Sequence, residues 1–111
     1  MKIELAKSEI IHFIGIGGIG MSGLALIMKG MGFKIQGSDI SSNKNIERLK
    51  KNNVKVIIGH SRENINKATI IVISSAIKNN NSEVLFAKKK QLPIYKRGDM
   101  LGHITSLTKN I

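Results

Sequence analysis

The sequence predicts an α/β fold: a Rossmann-like, doubly wound parallel sheet of about five strands in the order 3-2-1-4-5. Three observations predict it. Short apolar runs alternate with segments of helical periodicity along the 111 residues. The first run leads into Gly15-Ile16-Gly17-Gly18-Ile19-Gly20, the spacing of a phosphate-binding turn between a strand and a helix. The second run ends on an acid, Asp39, at the distance from the glycines expected of a ribose-binding residue.

Ile10, Ile11, Phe13, Ile14 and Ile16 make the first strand. Met21, Leu24, Ala25 and Met28 recur at i, i+3, i+4 and i+7 on one helical face, which Met31 extends as a flexible apolar surface. Gly30 and Gly32 stop that helix, and Lys34–Asp39 reads as the second strand. Ser41, Ser42 and Asn43 are capping residues for a second helix that carries Ile46 and Leu49 to about Asn53. Residues 54–58 form the third strand, stopped by Gly59-His60, and residues 62–66 a short helix or turn. Ile70–Ile73 is apolar on both faces, as a central parallel strand must be, and Ser74-Ser75 ends it. Asn79 to Ser82 cap a helix through Val84, Leu85 and Ala87, whose Lys88-Lys89-Lys90 end is solvated. Leu92-Pro93-Ile94 is a short fifth strand, and residues 99–104 a last helix.

Eighteen basic against seven acidic residues give a net charge of +11. Fifteen of the eighteen are lysine, arginine stands only at 48, 62 and 97, and the aromatics are not interleaved with the basic runs, so a nucleic-acid partner is not expected. Cysteine is absent, which excludes disulfides and thiol chemistry and fits a cytoplasmic setting, and the three scattered histidines lack metal-ligand spacing. The stretch from Ile10 to Met28 carries no full charge, but five glycines within it argue against a membrane span. Met1-Lys2-Ile3-Glu4 does not resemble the start of a signal peptide.

In a doubly wound sheet ligands sit beyond the carboxyl ends of the strands, where the strand order reverses. Gly17, Gly18 and Gly20, with the backbone N–H groups of Ile19 and Met21, are the expected diphosphate cradle, because a bare backbone admits the anion and the helix dipole attracts it. Gly20 is also expected to let the helix pack on the first strand. Ser22 is either a hydroxyl donor at the helix start or a capping residue, and Asp39 either a ribose ligand or the cap of the next helix. Ser74 and Ser75 line the crevice as hydroxyl donors or merely end their strand. His12 and His103 are read as packing or interface residues.

His12 to Gly23, then Gly37-Ser38-Asp39, Gly59-His60, Ser74-Ser75-Ala76-Ile77 and Arg97-Gly98-Asp99-Met100-Leu101, together closely resemble the N-terminal domain of the Mur ligase family over residues 8–104. The string Gly-Ile-Gly-Gly-Ile-Gly-Met-Ser-Gly is most similar to the L-alanine-adding branch, although Asp99 stands where glutamate is more usual and Gly98 where alanine is. The resemblance implies a cytoplasmic, ATP-dependent ligase of peptidoglycan biosynthesis, which activates the lactyl carboxylate of UDP-N-acetylmuramate as an acyl phosphate for attack by L-alanine. It further implies that residues 1–111 are the UDP-N-acetylmuramate-binding domain, with the central ATP-binding and the C-terminal domains absent. His60 would meet the uridine, or be an ordinary loop histidine. Arg97 would meet a phosphate or the muramyl carboxylate, or form an ion pair at a domain surface.

No glycine is followed by lysine, so a P-loop is missing; this domain is expected to bind no cofactor, ATP and Mg2+ belonging to the whole enzyme, and to be inactive alone. No catalytic residue and no metal ligand is identified. The alternative is a standalone NAD-binding Rossmann domain of an oxidoreductase or a regulatory sensor, since the glycine loop and the acid are shared. A basic module for RNA or anionic lipid rests on net charge alone.

Overall fold

The computed structural model describes residues 3–108; the first two residues of the Met1-Lys2-Ile3-Glu4 start, and residues 109–111, lie outside the described residues. Its five strands are β1 (Ile10–Ile14), β2 (Lys34–Asp39), β3 (Lys55–Ile58), β4 (Ile70–Ile73) and β5 (Ile94–Lys96). They pair in parallel in the order β3-β2-β1-β4-β5. The helices are α1 (Ile19–Gly30), α2 (Lys44–Lys51), α3 (Ser82–Lys89) and α4 (Arg97–Thr108), with a 3-10 turn at Arg62–Ile65.

Alternation along the central strands sorts their side chains between two cores, because successive residues of a strand face opposite sides. Ile11 and Phe13 of β1 join Ile70 and Val72 of β4 against Met21, Leu24, Ala25 and Met28 of α1, Leu49 of α2 and Met100 and Ile104 of α4. Ile14 and Ile71 meet Ile65, Val84 and Ala87 of the 3-10 turn and α3 on the other face. Among the described residues no helix is long and apolar enough to cross a membrane. The uncharged stretch from Ile10 to Met28 is a buried strand, a glycine turn and the helix packed upon it.

The first strand stops at Ile14, short of Ile16, the second helix ends at Lys51 and the third strand starts at Lys55; two further boundaries differ more, each for a local reason. β5 lies at Ile94–Lys96 rather than at residues 92–94: Gln91 takes a left-handed φ of 59°, and Pro93 has no N–H to give the ladder, only its carbonyl to the Ile71 amide at 2.9 Å. α4 starts at Arg97 and runs on to Thr108, past the last buried apolar residue, Ile104. Its final turn is polar, with Thr105, Ser106 and Thr108 hydroxyls donating to carbonyls three or four residues back.

Candidate functional site

The loop between β1 and α1 turns sharply at Gly15, whose φ of +84° favours glycine. A side chain there would also meet Ser74 Oγ at 2.9 Å. Gly18 is the helix N-cap and offers no side chain, so the first helical amides have no cap bond. Among the described residues the N–H groups of Ile19, Gly20 and Met21 therefore lack acceptors, whereas Gly18 N–H donates to Gly15 O and Ser22 N–H to Gly18 O. Ile19 stands 88% exposed at the tip, while Met21 is buried in the core. Ser22 is buried too, and its hydroxyl donates back to Ile19 O at 3.2 Å, inside the helix and not at its cap.

Asp39, at the end of β2, grips this loop. Its Oδ2 accepts the Gly17 N–H at 2.8 Å and its Oδ1 the Ile40 N–H at 2.8 Å. Asp39 is thus not the cap of α2; Asn43 is, with Oδ1 accepting from Ile46 N–H at 2.9 Å. Asn43 Nδ2 and Asn45 Nδ2 donate to Gly17 O at 3.2 and 3.0 Å, so the Gly17 unit is held at both its polar ends.

A cleft of about 510 Å³ opens over these groups, lined by Gly15, Gly17, Gly18, Asp39, Ile40, Asn43, His60, Ser74, Ala76, Ile77, Lys78, Asn80 and Asn81. Ser74 and Ile77 also line an adjoining cavity of about 440 Å³, with Ser75, Lys96, Arg97 and Asp99 around it. The carboxyl edge of the sheet therefore carries a two-chambered depression, with Asp39 and His60 in one chamber and Ser75 and Arg97 in the other. The Arg97 side chain makes no ion pair or hydrogen bond among the described residues. Its guanidinium stem runs beside Gly20, where an added Cβ would fall 3.0 Å from Arg97 Cδ and Nε. The close approach at Gly20 is thus to Arg97 of α4, not to the first strand.

His12 corrects the sequence reading most. It is fully buried, yet it belongs to a polar network, not to apolar packing. Register places its ring beside Gln36 and Ser38 of β2 on the face that α3 covers. There the buried Glu83, in the first turn of α3, receives His12 Nε2 at 2.6 Å and Ser38 Oγ at 2.7 Å on Oε1. Its Oε2 receives Asn64 Nδ2 at 2.8 Å and Ser61 N–H at 3.1 Å. Burial pushes the Glu83 carboxyl up, but the bond from His12, with that ring's charge when protonated, and the bonds from Asn64 and Ser38 outweigh it and bring it down to about 2. His60 joins through Nδ1, 3.0 Å from Ser38 Oγ. His103 sits half-buried on α4, away from both chambers.

Glu83 was missed because an acid after Asn79 to Ser82 reads as an ordinary first-turn helix residue. The polar residues alternating in apolar strands, His12 in one and Gln36 and Ser38 in the next, were its only signal. Of the cleft wall that Ile77, Lys78, Asn80 and Asn81 contribute, Asn80 and Asn81 read in the sequence as helix capping alone and Ile77 as part of a motif.

Comparison with known proteins adds the following. A family model described as "Mur ligase family, catalytic domain" matches residues 10–109. The chain is 75% identical over its whole length to the UDP-N-acetylmuramate–L-alanine ligase of Pelagibacter ubique, of which it covers 24%. It is 51% identical over 94% of its length to the ligase of that name from Bartonella bacilliformis, covering 22% of it. The crystal structure of the UDP-N-acetylmuramate–alanine ligase MurC from Thermotoga maritima superposes with a TM-score of 0.86 at 30% identity, over 90% of this chain and 23% of that one. The UDP-N-acetylmuramate:L-alanyl-γ-D-glutamyl-meso-diaminopimelate ligase from Neisseria meningitides gives 0.80 at 30% identity, over 86% and 30%. The chain thus spans about a quarter of the length of the curated relatives it matches.

Proposed function

This chain belongs to the Mur ligase family, and from that membership we propose that it is the part of an ATP-dependent UDP-N-acetylmuramate–L-alanine ligase that binds the UDP-sugar, in the cytoplasm, for peptidoglycan biosynthesis. The observation that carries the reading is the meeting of two uncommitted anion-binding features, one on the glycine loop and one at the start of α4. The N–H groups of Ile19, Gly20 and Met21 at the N-terminus of α1 have no acceptor among the described residues, and the Arg97 side chain, unpaired among them, lies alongside Gly20. A diphosphate bound there would replace water with backbone donors, a helix dipole and a guanidinium, each favouring the anion.

The two chambers then divide the ligand. Uridine lies over Asp39, whose carboxylate oxygens each keep a lone pair for a ribose hydroxyl, and beside His60. The muramyl group lies toward Ser74, Ser75 and Arg97. Ser22 drops out of the contact set in this arrangement, since its hydroxyl turns inward. With the family known, nothing in the site favours the dinucleotide alternative.

ATP and Mg2+ are required by a ligase of this kind, and the chain's own residues do not fit them. No glycine precedes a lysine, so the P-loop cradle is missing, and among the described residues no three His, Asp or Glu side chains converge as a metal site. The role of these residues is to bind and orient the sugar nucleotide, with amide formation assigned to the remainder of an enzyme of its relatives' length.

Backbone amide shifts test the reading. UDP alone should move the amides of residues 17–21, Asp39, His60 and Arg97, and UDP-N-acetylmuramate should add shifts at Ser75. Failure of UDP to shift the glycine loop, or an equal response of Ser75 to both ligands, would refute it.

A further inference from the structure

We propose that Glu83 and Ser38 are positioning residues that hold His60 in its Nδ1–H tautomer, so that Nε2 meets the occupant of the cleft as a hydrogen-bond acceptor and selects a pyrimidine bearing N–H at position 3. The tautomer follows from the network alone; the selection rests on the reading of the cleft as the uridine site.

The proton count leaves one solution. Asn64 O accepts from Gln36 Nε2 at 2.9 Å, which fixes the amide with its NH2 end toward His12 Nδ1, 2.8 Å away. His12 Nδ1 is then an acceptor, and its Nε2–H is the donor to Glu83 Oε1 at 2.6 Å. Glu83 receives two further donors, Asn64 Nδ2 and Ser61 N–H, on Oε2 and offers no proton of its own. An ionised carboxylate only accepts, so the single Ser38 hydroxyl proton is committed to Glu83 Oε1 at 2.7 Å. Toward His60 Nδ1 at 3.0 Å, Ser38 Oγ can therefore only accept, and Nδ1 carries the ring proton. The nearby Glu83 Oε2, 3.4 Å from Nδ1, favours the same placement.

Among the described residues His60 Nε2 has no partner and no buried polar side-chain atom lacks one, so Nε2 is open to solvent, on a ring that lines both the cleft and a separate cavity of about 440 Å³ with Ser61, Arg62 and Phe86. On a neutral ring it presents a lone pair. Uracil carries N–H at position 3, where cytosine carries a lone pair, so an acceptor opposite that position welcomes the first and repels the second. A buried polar contact left unpaired costs enough to reduce affinity on the order of tenfold or more.

The test uses the 111-residue chain at pH 8. Long-range nitrogen–proton correlation spectra of the ligand-free protein should give His60 as the Nδ1–H tautomer in the parent and shift it toward Nε2–H in Ser38→Ala and Glu83→Gln. An Nε2–H tautomer in the parent overturns the proposal. UDP should bind at least about tenfold tighter than CDP, and Ser38→Ala, which removes one hydroxyl and leaves Glu83 its other donors, should narrow that gap. A merely structural role would weaken both nucleotides alike and preserve their ratio, which overturns the selection. Binding of neither nucleotide refutes the uridine reading and the selection together, and the ligand-free spectrum still decides the tautomer.

Discussion

Adjacent glycines in one loop serve different masters. An added Cβ at Gly17 would fall 2.8 Å from Asp39 Oδ2 and 2.9 Å from Ile46 Cδ1, whereas at Gly18 the nearest atom is 3.7 Å away. The fold needs the first glycine and leaves room for a side chain at the second. Gly17→Val should accordingly lower stability in urea titrations by about 1 to 3 kcal/mol through overpacking. Gly18→Val, in an extended conformation that valine adopts, should cost no more than about 1 kcal/mol of cap preference yet weaken UDP binding at least tenfold. Parent-like UDP affinity in Gly18→Val would remove the diphosphate from this loop. Such local chemistry is legible in a sequence because the partners of a glycine turn sit within a few positions. Glu83 was not, since its donors His12 and Ser38 lie 71 and 45 residues away and meet it only when the strands are in register.

Among the elements, α2 couples its own start to the glycine loop. Asn43 caps the helix with its oxygen and holds Gly17 O with its nitrogen, two tasks that substitution can separate. Asn43→Ala should lose about 0.5 to 2 kcal/mol of stability along with UDP affinity. Asn43→Asp keeps the cap acceptor and loses the donor, so circular dichroism melting should recover much of the loss while UDP titration still shows severalfold weaker binding. Equal UDP affinity in both variants and the parent would show that the clamp on Gly17 does not shape the cradle. Periodicity identified every strand and helix and their order, yet three capping candidates at 41, 42 and 43 looked alike, because choosing among them takes the geometry of the turn. The β5 and α4 limits were misread for a related reason: a proline's effect on a parallel ladder depends on where its partner strand lies, and the last turn of α4 is held by hydroxyl bonds that leave no apolar periodicity.

The Glu83 network reaches β1, β2, the loop after β3, the 3-10 turn and α3, so its loss is felt by the whole molecule. Its carboxyl falls from 4.5 to about 2 on folding. A depressed carboxyl contributes stability that is fully present above the unfolded value and disappears as pH falls through the folded one. Between pH 4.5 and about 2 the protein should therefore lose on the order of 3 kcal/mol from this group. Urea midpoints measured across that interval should fall steeply in the parent and less in Glu83→Gln; parallel slopes would show that Glu83 is not the titrating group. At this scale the sequence was informative about topology and the place of the cleft, since strand order alone put Asp39 and His60 on one side and Ser75 and Arg97 on the other.

The two chambers share Ser74 and Ile77, so any occupant long enough to fill both crosses the end of β4. Its two ends then act as tethered partners: once the first is seated, the second arrives at a high effective concentration and its contacts are no longer offset by lost translational freedom. An end group too weak to hold by itself would thereby gain affinity from the one attached to it. For the sugar nucleotide proposed above, the nucleotide would work as a handle, delivering the sugar to a chamber that needs only to orient it.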